Sequence, residues 1–393
     1  MNPTTIELAE RMLKEVSKTI LAVDCRYWEC NSVPASFFCR NAKINSLVRL
    51  FFRLCPINFR KAPPDGEYPI MPQQTVALLQ AFTRMGDKKT AELLAERALS
   101  LRSPMVKNFA LSQGSRICIS LYDDSAETPT PLNTAWFAES LLLPEFPWVE
   151  EKKKEYLLSI AEFFLRDLGY RSYGEHGIYF YYGYDLHGPV IINASARISS
   201  VLLQIGKKYD ILEYVEKGSQ GIRFVIHQQR PNGSWSYLDD PQRHFTDSFH
   251  QIYIMKSLAD AKKYFPNDES LSQTITRAAD FYRKVFWPEG KNNRLHPRRY
   301  DPDYLPHNSW IFQKLDGRDI AEAIVWFGLY ESDDAMMDRL ISFLYRHFYN
   351  RKKKYFYPEK MLWGTSRIPY FEFQGWYLNS LSAFVQKERG DIK

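Results

Sequence analysis

The chain has few cysteines and none of the patterns that hold common cofactors. Its five cysteines, among 393 residues, form no CxxC pair and lie far in sequence from the histidines, which argues against structural zinc. There is no Gly-rich phosphate loop and no alternation of strands with helices. We therefore expect no bound metal and no cofactor, and reduced thiols in a cytoplasmic protein.

Long apolar runs and long basic tracts are also missing. No apolar stretch approaches the length of a membrane span, and the N-terminus lacks a signal-peptide pattern. The net charge is +6 and the basic runs at 152–154 and 351–354 are short, so we predict no nucleic-acid binding. Residues 44–55 form an amphipathic segment that fits a docking helix or, alternatively, a peripheral contact with a membrane surface.

Aromatic residues are abundant by contrast. They make up 15% of the chain and include 25 Tyr and 9 Trp. Part of this content is explained by ordinary core packing, and the remainder fits the lining of a sugar-binding groove.

Helical periodicity dominates the chain, and strand signals are confined to the connections, at 178–182 and 354–357. The pattern predicts an all-α protein with small hairpins between its helices. The predicted helices cover residues 5–23, 43–55, 73–85, 88–101, 131–143, 151–168, 190–206, 210–229, 245–264, 268–287, 317–330, 333–349 and 369–387.

Short aromatic segments precede several of these helices at regular intervals. Phe180 and Trp235 are 55 residues apart, and Trp235 and Tyr355 are 120 apart, or two periods of 60, with the skipped repeat near residue 295. Such a period is typical of stacked helical hairpins. We predict an α/α toroid of about six hairpins over residues 71–393, after an N-terminal helical extension over 1–70. An open solenoid is the structural alternative.

The predicted toroid brings scattered polar residues together. Its inner helices begin at one rim, so the loops before them converge on one funnel, where they form a candidate binding or catalytic site. The residues expected around this mouth are Glu175, His176, Tyr182, Asp239, His244, Asp247, His250, Asp316, Tyr370 and Glu372.

Four segments also carry a family resemblance. They are TPTPLNTAW at 128–136, VIINA at 190–194, GSW at 233–235 with DSFH at 247–250, and IPY at 368–370 with QGW at 374–376. The chain resembles bacterial six-hairpin α/α-toroid proteins encoded in surface-polysaccharide biosynthesis clusters. Their fold is similar to the toroid domain of glucuronyl epimerases, to heparinase-type lyases and to the prenyltransferase/terpene-cyclase superfamily. The resemblance covers roughly residues 70–388 and implies a role in polysaccharide biosynthesis or modification.

The segment from 232 to 250 holds the strongest candidates for chemistry. Asp247 and His250 are three residues apart at the start of a helix and share a face. Asp247 could instead serve only as a helix cap, and His250 as a core residue. We assign catalysis to His250, Asp247, His244 and Tyr370, and substrate binding to Trp235, Tyr237, Asp239, Arg243, Tyr182, Asn193, Glu372 and Trp376.

Three kinds of function fit these residues. Proton abstraction from a uronate-containing glycan, as in an epimerase or lyase, needs a His or Tyr base and a group that stabilises the enolate. The abundance of His, Tyr and Arg and the mild positive charge favour this function. Glycoside hydrolysis would pair Asp247 with Glu372 or Asp239. The third possibility is a non-catalytic glycan-binding or scaffold subunit. A terpene cyclase or prenyltransferase is disfavoured, because neither a DxDD motif nor a zinc-ligand set is visible.

Overall fold

The structure is a computed structural model. It describes residues 2–25, 44, 47, 72–100, 130–182, 190–237, 245–290, 294–303, 314–361, 364–365 and 373–390. The predicted site residues Asp239, Arg243, His244, Tyr370 and Glu372 lie outside these ranges, as does most of the helix predicted over 43–55.

Helices account for most of the described chain, as predicted. Two of them, α5 and α10, end in a π-helical turn, over Phe163–Leu168 and Trp326–Tyr330. The helices are α1 Pro3–Leu21, α2 Pro72–Arg84, α3 Lys88–Ser100, α4 Pro131–Leu142, α5 Glu150–Glu162, α6 Ile192–Tyr209, α7 Leu212–His227, α8 Ser248–Lys262, α9 Glu269–Phe286, α10 Gly317–Val325, α11 Asp334–His347 and α12 Gln374–Glu388.

The strands are short and lie between helices, again as predicted. All strand pairs described are antiparallel, and they join β1 to β2, β4 to β5, and β6 to both β3 and β7. The strands are β1 Tyr170–Ser172, β2 Ile178–Phe180, β3 Lys314–Asp316, β4 Tyr349–Asn350, β5 Tyr355–Phe356, β6 Glu359–Met361 and β7 Gly364–Thr365.

The chain divides into two compact units. One comprises residues 1–81 and 311–393, and in it α12 packs against α1 and α10. The other comprises residues 82–310, and in it α6 packs against α4, α7 and α8. The predicted separation of a 1–70 extension from a 71–393 domain stays a prediction.

Within each unit, buried helices alternate with helices that have an exposed face. In the 82–310 unit α6 is buried around nearly its whole circumference, whereas α7 buries only one stripe. In the other unit α12 and α11 differ in the same way. A helix buried on all sides belongs to the interior of a layered structure, and an amphipathic one to its outside. This is the hairpin pattern that the sequence periodicity predicts.

The aromatic repeat has a structural basis. In three repeats, the backbone N–H of the aromatic residue donates to a side chain in the first turn of the buried helix that follows. The third hydrogen bond falls on Phe356, one residue beyond Tyr355. The pairs are Phe180 with Ser195 Oγ (3.1 Å), Trp235 with Gln251 Oε1 (3.1 Å) and Phe356 with Gln374 Oε1 (2.8 Å).

Two of these loops approach the neighbouring outer helix at a glycine. Gly177 and Gly233 have φ of +110° and +92°. A Cβ at Gly177 would lie 2.0 Å from the carbonyl oxygen of Gln220, and one at Gly233 would lie 2.3 Å from that of Arg277. Only glycine combines this conformation with such close contact, so each loop is fixed between two helices.

No helix in the described ranges is both long enough and apolar enough to cross a membrane. Among the same residues, no group of three or more His, Cys, Asp or Glu side chains is arranged to hold a metal ion. Cys25 is buried, and the other four cysteines lie outside the described residues.

Candidate active site

The centre of the candidate site is a carboxylate–imidazole pair at the start of α8. Asp247 is the N-cap residue of this helix, and its Oδ1 accepts the backbone N–H of His250 at 2.8 Å. Its Oδ2 lies 2.6 Å from His250 Nδ1. Asp247 therefore caps the helix with one oxygen and contacts the His250 ring with the other, so the helix cap does not exclude the predicted functional role.

The protonation state of the pair follows from its surroundings. Burial alone would raise the pKa of the Asp247 carboxyl, but the charge and hydrogen bonds of His250, together with the Arg299 charge, hold that pKa below its ordinary value. An ionised carboxylate only accepts hydrogen bonds, so we assign the proton to Nδ1 of His250. This tautomer leaves a lone pair on Nε2 of a ring whose side chain is 23% exposed.

Tyr237 completes the immediate surroundings of His250. The two ring centres are 4.1 Å apart, and Phe245 stacks on Tyr237 at 5.0 Å. Burial, and secondarily the Asp247 charge, raise the pKa of the Tyr237 hydroxyl. This hydroxyl therefore stays protonated at neutral pH and can donate a hydrogen bond.

The chain segment 299–301 supports the pair from one side. It forms an antiparallel bridge in which Asp247 pairs with Tyr300, and the Ser248 N–H donates to the Arg299 carbonyl at 2.8 Å. The Arg299 guanidinium lies 6.0 Å from the Phe249 ring centre and 5.6 Å from that of Tyr300. It contributes positive charge near the buried carboxylate.

A second charged group links the three buried helices of this unit. Arg197 on α6 is buried between Trp136 of α4 and Tyr253 of α8, at 5.0 and 4.9 Å from the ring centres. Its guanidinium binds both oxygens of Glu139 on α4, at 2.7 and 2.5 Å. A bidentate pair held between two rings fixes the spacing of α4, α6 and α8.

Two tryptophans predicted to bind substrate are buried in the core. Trp235 is 2% exposed, and its indole N–H donates to the Val225 carbonyl at 2.8 Å. Trp376 is also 2% exposed and lies in the other unit, 5.8 Å from the Arg318 guanidinium. An aromatic ring that stacks on a sugar needs an open face, so we assign both residues to the interior.

The other predicted residues fall in different places. Asn193 is buried in the first turn of α6, and Tyr182 is exposed beyond β2. His176, next to Glu175, stacks on His227 of α7 with the rings 3.5 Å apart. Asp316 caps α10 in the 1–81/311–393 unit and pairs with Arg318. Among the described members of the set, Asp247 and Tyr237 both contact His250 although Tyr237 is distant from it in sequence.

The Asp247–His250 pair predicts how the free energy of unfolding changes at acid pH. A carboxyl whose pKa is lowered on folding adds stability above its unfolded pKa of about 3.9 and loses it as pH falls through the folded pKa. We expect the difference in unfolding free energy between the wild type and Asp247→Asn to shrink below about pH 4. Denaturant titrations between pH 3 and pH 7 measure it. A difference that stays constant over this range contradicts the lowered pKa.

Sequence comparisons identify no family for the chain. No protein-family model matches it, and no curated protein matches its sequence.

Comparison with solved structures identifies the fold. Cellobiose 2-epimerase from Bacillus thermoamylovorans superposes with a TM-score of 0.59 and 12% identity, covering 88% of this chain and 100% of that one. A D-mannose isomerase gives 0.58 and 12%, covering 91% and 100%. A family 76 glycoside hydrolase from a bovine Bacteroides thetaiotaomicron strain gives 0.58 and 10%, covering 98% and 78%. The fold class is the α/α toroid, as predicted.

Proposed function

We propose that the protein is a carbohydrate-active enzyme that removes a proton from a sugar carbon next to a carbonyl or carboxylate group. The observation that carries the proposal is the buried Asp247 carboxylate bound to His250 Nδ1. This arrangement leaves Nε2 as a base on a partly exposed ring. The solved toroids named for epimerase and isomerase activity on sugars support the choice of substrate class.

The proposed step uses two groups. His250 Nε2 takes the proton from carbon, and the electron pair forms a carbon–carbon double bond while negative charge moves to the oxygen. The Tyr237 hydroxyl, kept protonated by its raised pKa, donates a hydrogen bond to that oxygen. If the intermediate turns its other face to His250, return of the proton gives epimerisation, and loss of a neighbouring substituent gives elimination.

The arrangement around Asp247 disfavours hydrolysis through that residue. Both of its oxygens are bound to His250, so it is poorly placed to act on a glycosidic bond. Its predicted partners Asp239 and Glu372 lie outside the described residues, and so does Arg243, the cation proposed for a uronate. A uronate-containing glycan and a place in polysaccharide biosynthesis stay predictions, as does the absence of a cofactor.

Solvent deuterium incorporation tests the proposal. The protein is incubated in D2O with D-mannose, cellobiose or a polyglucuronate, and carbon-bound deuterium is followed by NMR together with new reducing ends. We expect exchange into at least one sugar in the wild type, and its loss in His250→Gln. His227→Gln is the matched control, since His227 stacks on His176 instead of binding Asp247.

The same assay separates the alternatives. Release of reducing ends without exchange, abolished in Asp247→Asn, indicates a glycoside hydrolase. Sugar binding with neither exchange nor cleavage indicates a glycan-binding protein. Either result contradicts proton abstraction.

A further inference from the structure

Three buried polar atoms lie in loops and first helical turns of the 82–310 unit. They are Thr130 Oγ1, Asn193 Oδ1 and Ser236 Oγ, and none of them meets a hydrogen-bond partner in the structure as described. Thr130 and Asn193 are 4% and 2% exposed. Thr130 is the N-cap residue of α4, yet its side chain makes no capping hydrogen bond. The usual structural explanation for a threonine in this position therefore does not apply.

Each of the three residues is close in sequence to members of one apolar cluster in the 82–310 unit. Ile191 and Ala194, on either side of Asn193, form a buried apolar cluster. Leu132 and Tyr237 pack against it, and these residues lie two positions after Thr130 and one position after Ser236. The residues that carry the unpaired atoms are thus close in sequence to members of one apolar patch, and Tyr237 connects that patch to His250 at 4.1 Å between ring centres.

Unpaired polar atoms in a buried position are unusual and costly, and three in residues that adjoin one patch in sequence point to a missing partner. The hydroxyls of Thr130 and Ser236 can donate or accept, whereas Asn193 Oδ1 only accepts. All three are uncharged. Their natural partners are hydroxyl groups on an uncharged molecule, and the apolar patch suits the C–H face of a sugar ring.

We propose that Thr130, Asn193 and Ser236 form a hydroxyl-binding subsite for a neutral pyranose ring next to His250. The assignment rests on the proposed function for the identity of the ligand as a sugar. It specifies an uncharged ring at this position, in contrast to the uronate favoured by the sequence.

The charges nearby support a neutral ligand. Arg197, one turn beyond Asn193 on the same face of α6, is bound by both oxygens of Glu139. The Asp247 carboxylate is ionised, and it balances the charge of Arg299 beside it. A substrate carboxylate would meet an acceptor-only oxygen from Asn193 and the negative charge of Asp247, which is unfavourable for binding.

Apolar isosteres test the subsite, because they have opposite consequences for stability and for binding. In Thr130→Val and Asn193→Leu we expect an unchanged or higher melting temperature, since each removes an unpaired buried atom. We expect each to raise the Kd for a bound neutral sugar about three- to tenfold, which corresponds to one lost hydrogen bond. Isothermal titration with D-glucose, D-mannose, cellobiose and D-glucuronate measures this on the full chain.

Thr274→Val is the matched control. Thr274 Oγ1 is also buried and unpaired within the described structure, but it belongs to α9. This variant should share the effect on melting temperature and leave sugar binding unchanged.

Several outcomes overturn the subsite. They are unchanged Kd values in both subsite variants, tighter wild-type binding of D-glucuronate than of D-glucose, and no binding of any neutral probe. The two proposals fail separately. Weakened sugar binding in the variants without deuterium exchange in any sugar keeps the subsite and rejects proton abstraction. Deuterium exchange that is lost in His250→Gln but keeps its KM in Thr130→Val supports proton abstraction and rejects the subsite.

Discussion

Asp247→Asn is expected to lower the rate of deuterium exchange by about 10²–10⁴-fold while the protein stays folded. Asparagine still offers an oxygen to the His250 N–H, so the cap of α8 is retained. Its NH₂ group, however, then faces His250 Nδ1, which in the wild type lies 2.6 Å from a carboxylate oxygen. Two donors cannot pair, so the ring takes the tautomer with its proton on Nε2 and loses its base.

Asp268→Asn provides the matched control for this variant. Asp268 caps α9 through an equivalent hydrogen bond, 2.9 Å from the Leu271 N–H, and is not part of the Asp247–His250 pair. Both variants should stay folded at neutral pH, and only Asp247→Asn should reduce kcat. Wild-type exchange in Asp247→Asn, with the fold intact, rejects His250 as the base. Equal losses of rate in both variants indicate that capping alone matters.

The helices were predictable from sequence because each buried helix must present apolar residues at the helical period. The boundaries of α6 and α7 agree with the sequence to within a few residues. The start of α12 does not, since the apolar pattern begins at 369 and the helix begins at Gln374. Gln374 uses its side chain to bind the Phe356 backbone, an interaction 18 residues distant that periodicity cannot reveal.

The candidate site was predictable only where its residues are close in sequence. Asp247 and His250 share a helical turn, so their contact follows from their spacing. Arg299 reaches the pair through a β-bridge, and Arg197 is held by residues of two other helices. Such contacts depend on tertiary packing. Arg197 had one available signal, since it is the only charged residue in the first three turns of α6.

Trp235 was assigned to substrate binding because the sequence does not show whether its side chain is buried. A tryptophan in a polar loop fits a sugar-binding platform as well as it fits a core anchor. The structure uses its indole N–H to bind α7 and its backbone N–H to bind α8. Repetition of the aromatic loop was therefore a signal of architecture. The unpaired Thr130 and Ser236 gave no sequence signal, because serine and threonine are ordinary residues of loops and caps.

Gly177→Ala is expected to be among the most destabilising single changes in the described chain, at about 3–5 kcal/mol. Its φ of +110° and ψ of –141° fall in a region that essentially only glycine occupies. The added Cβ would lie 2.0 Å from the Gln220 carbonyl oxygen and 3.2 Å from the Phe224 nitrogen, both backbone atoms of α7. Relief requires β2 to move away from α7, which also strains the bond from the Phe180 N–H to Ser195.

Gly174→Ala in the same hairpin separates steric contact from backbone strain. Gly174 has φ of +64°, and a Cβ there would have nothing within 4 Å. We expect it to cost only about 1 kcal/mol, the ordinary penalty for alanine in the left-handed region. Denaturant midpoints of the two variants measure the difference. Equal midpoints would mean that β2 does not pack tightly against α7. The glycine repeated in these loops would then be required by the backbone conformation of the turn and not by close contact with the outer helix. A large loss of stability confined to Gly177→Ala would show that the hairpin is packed tightly against the outer helix α7. Through Ser195, this packing would also position the first turn of α6, which carries Asn193.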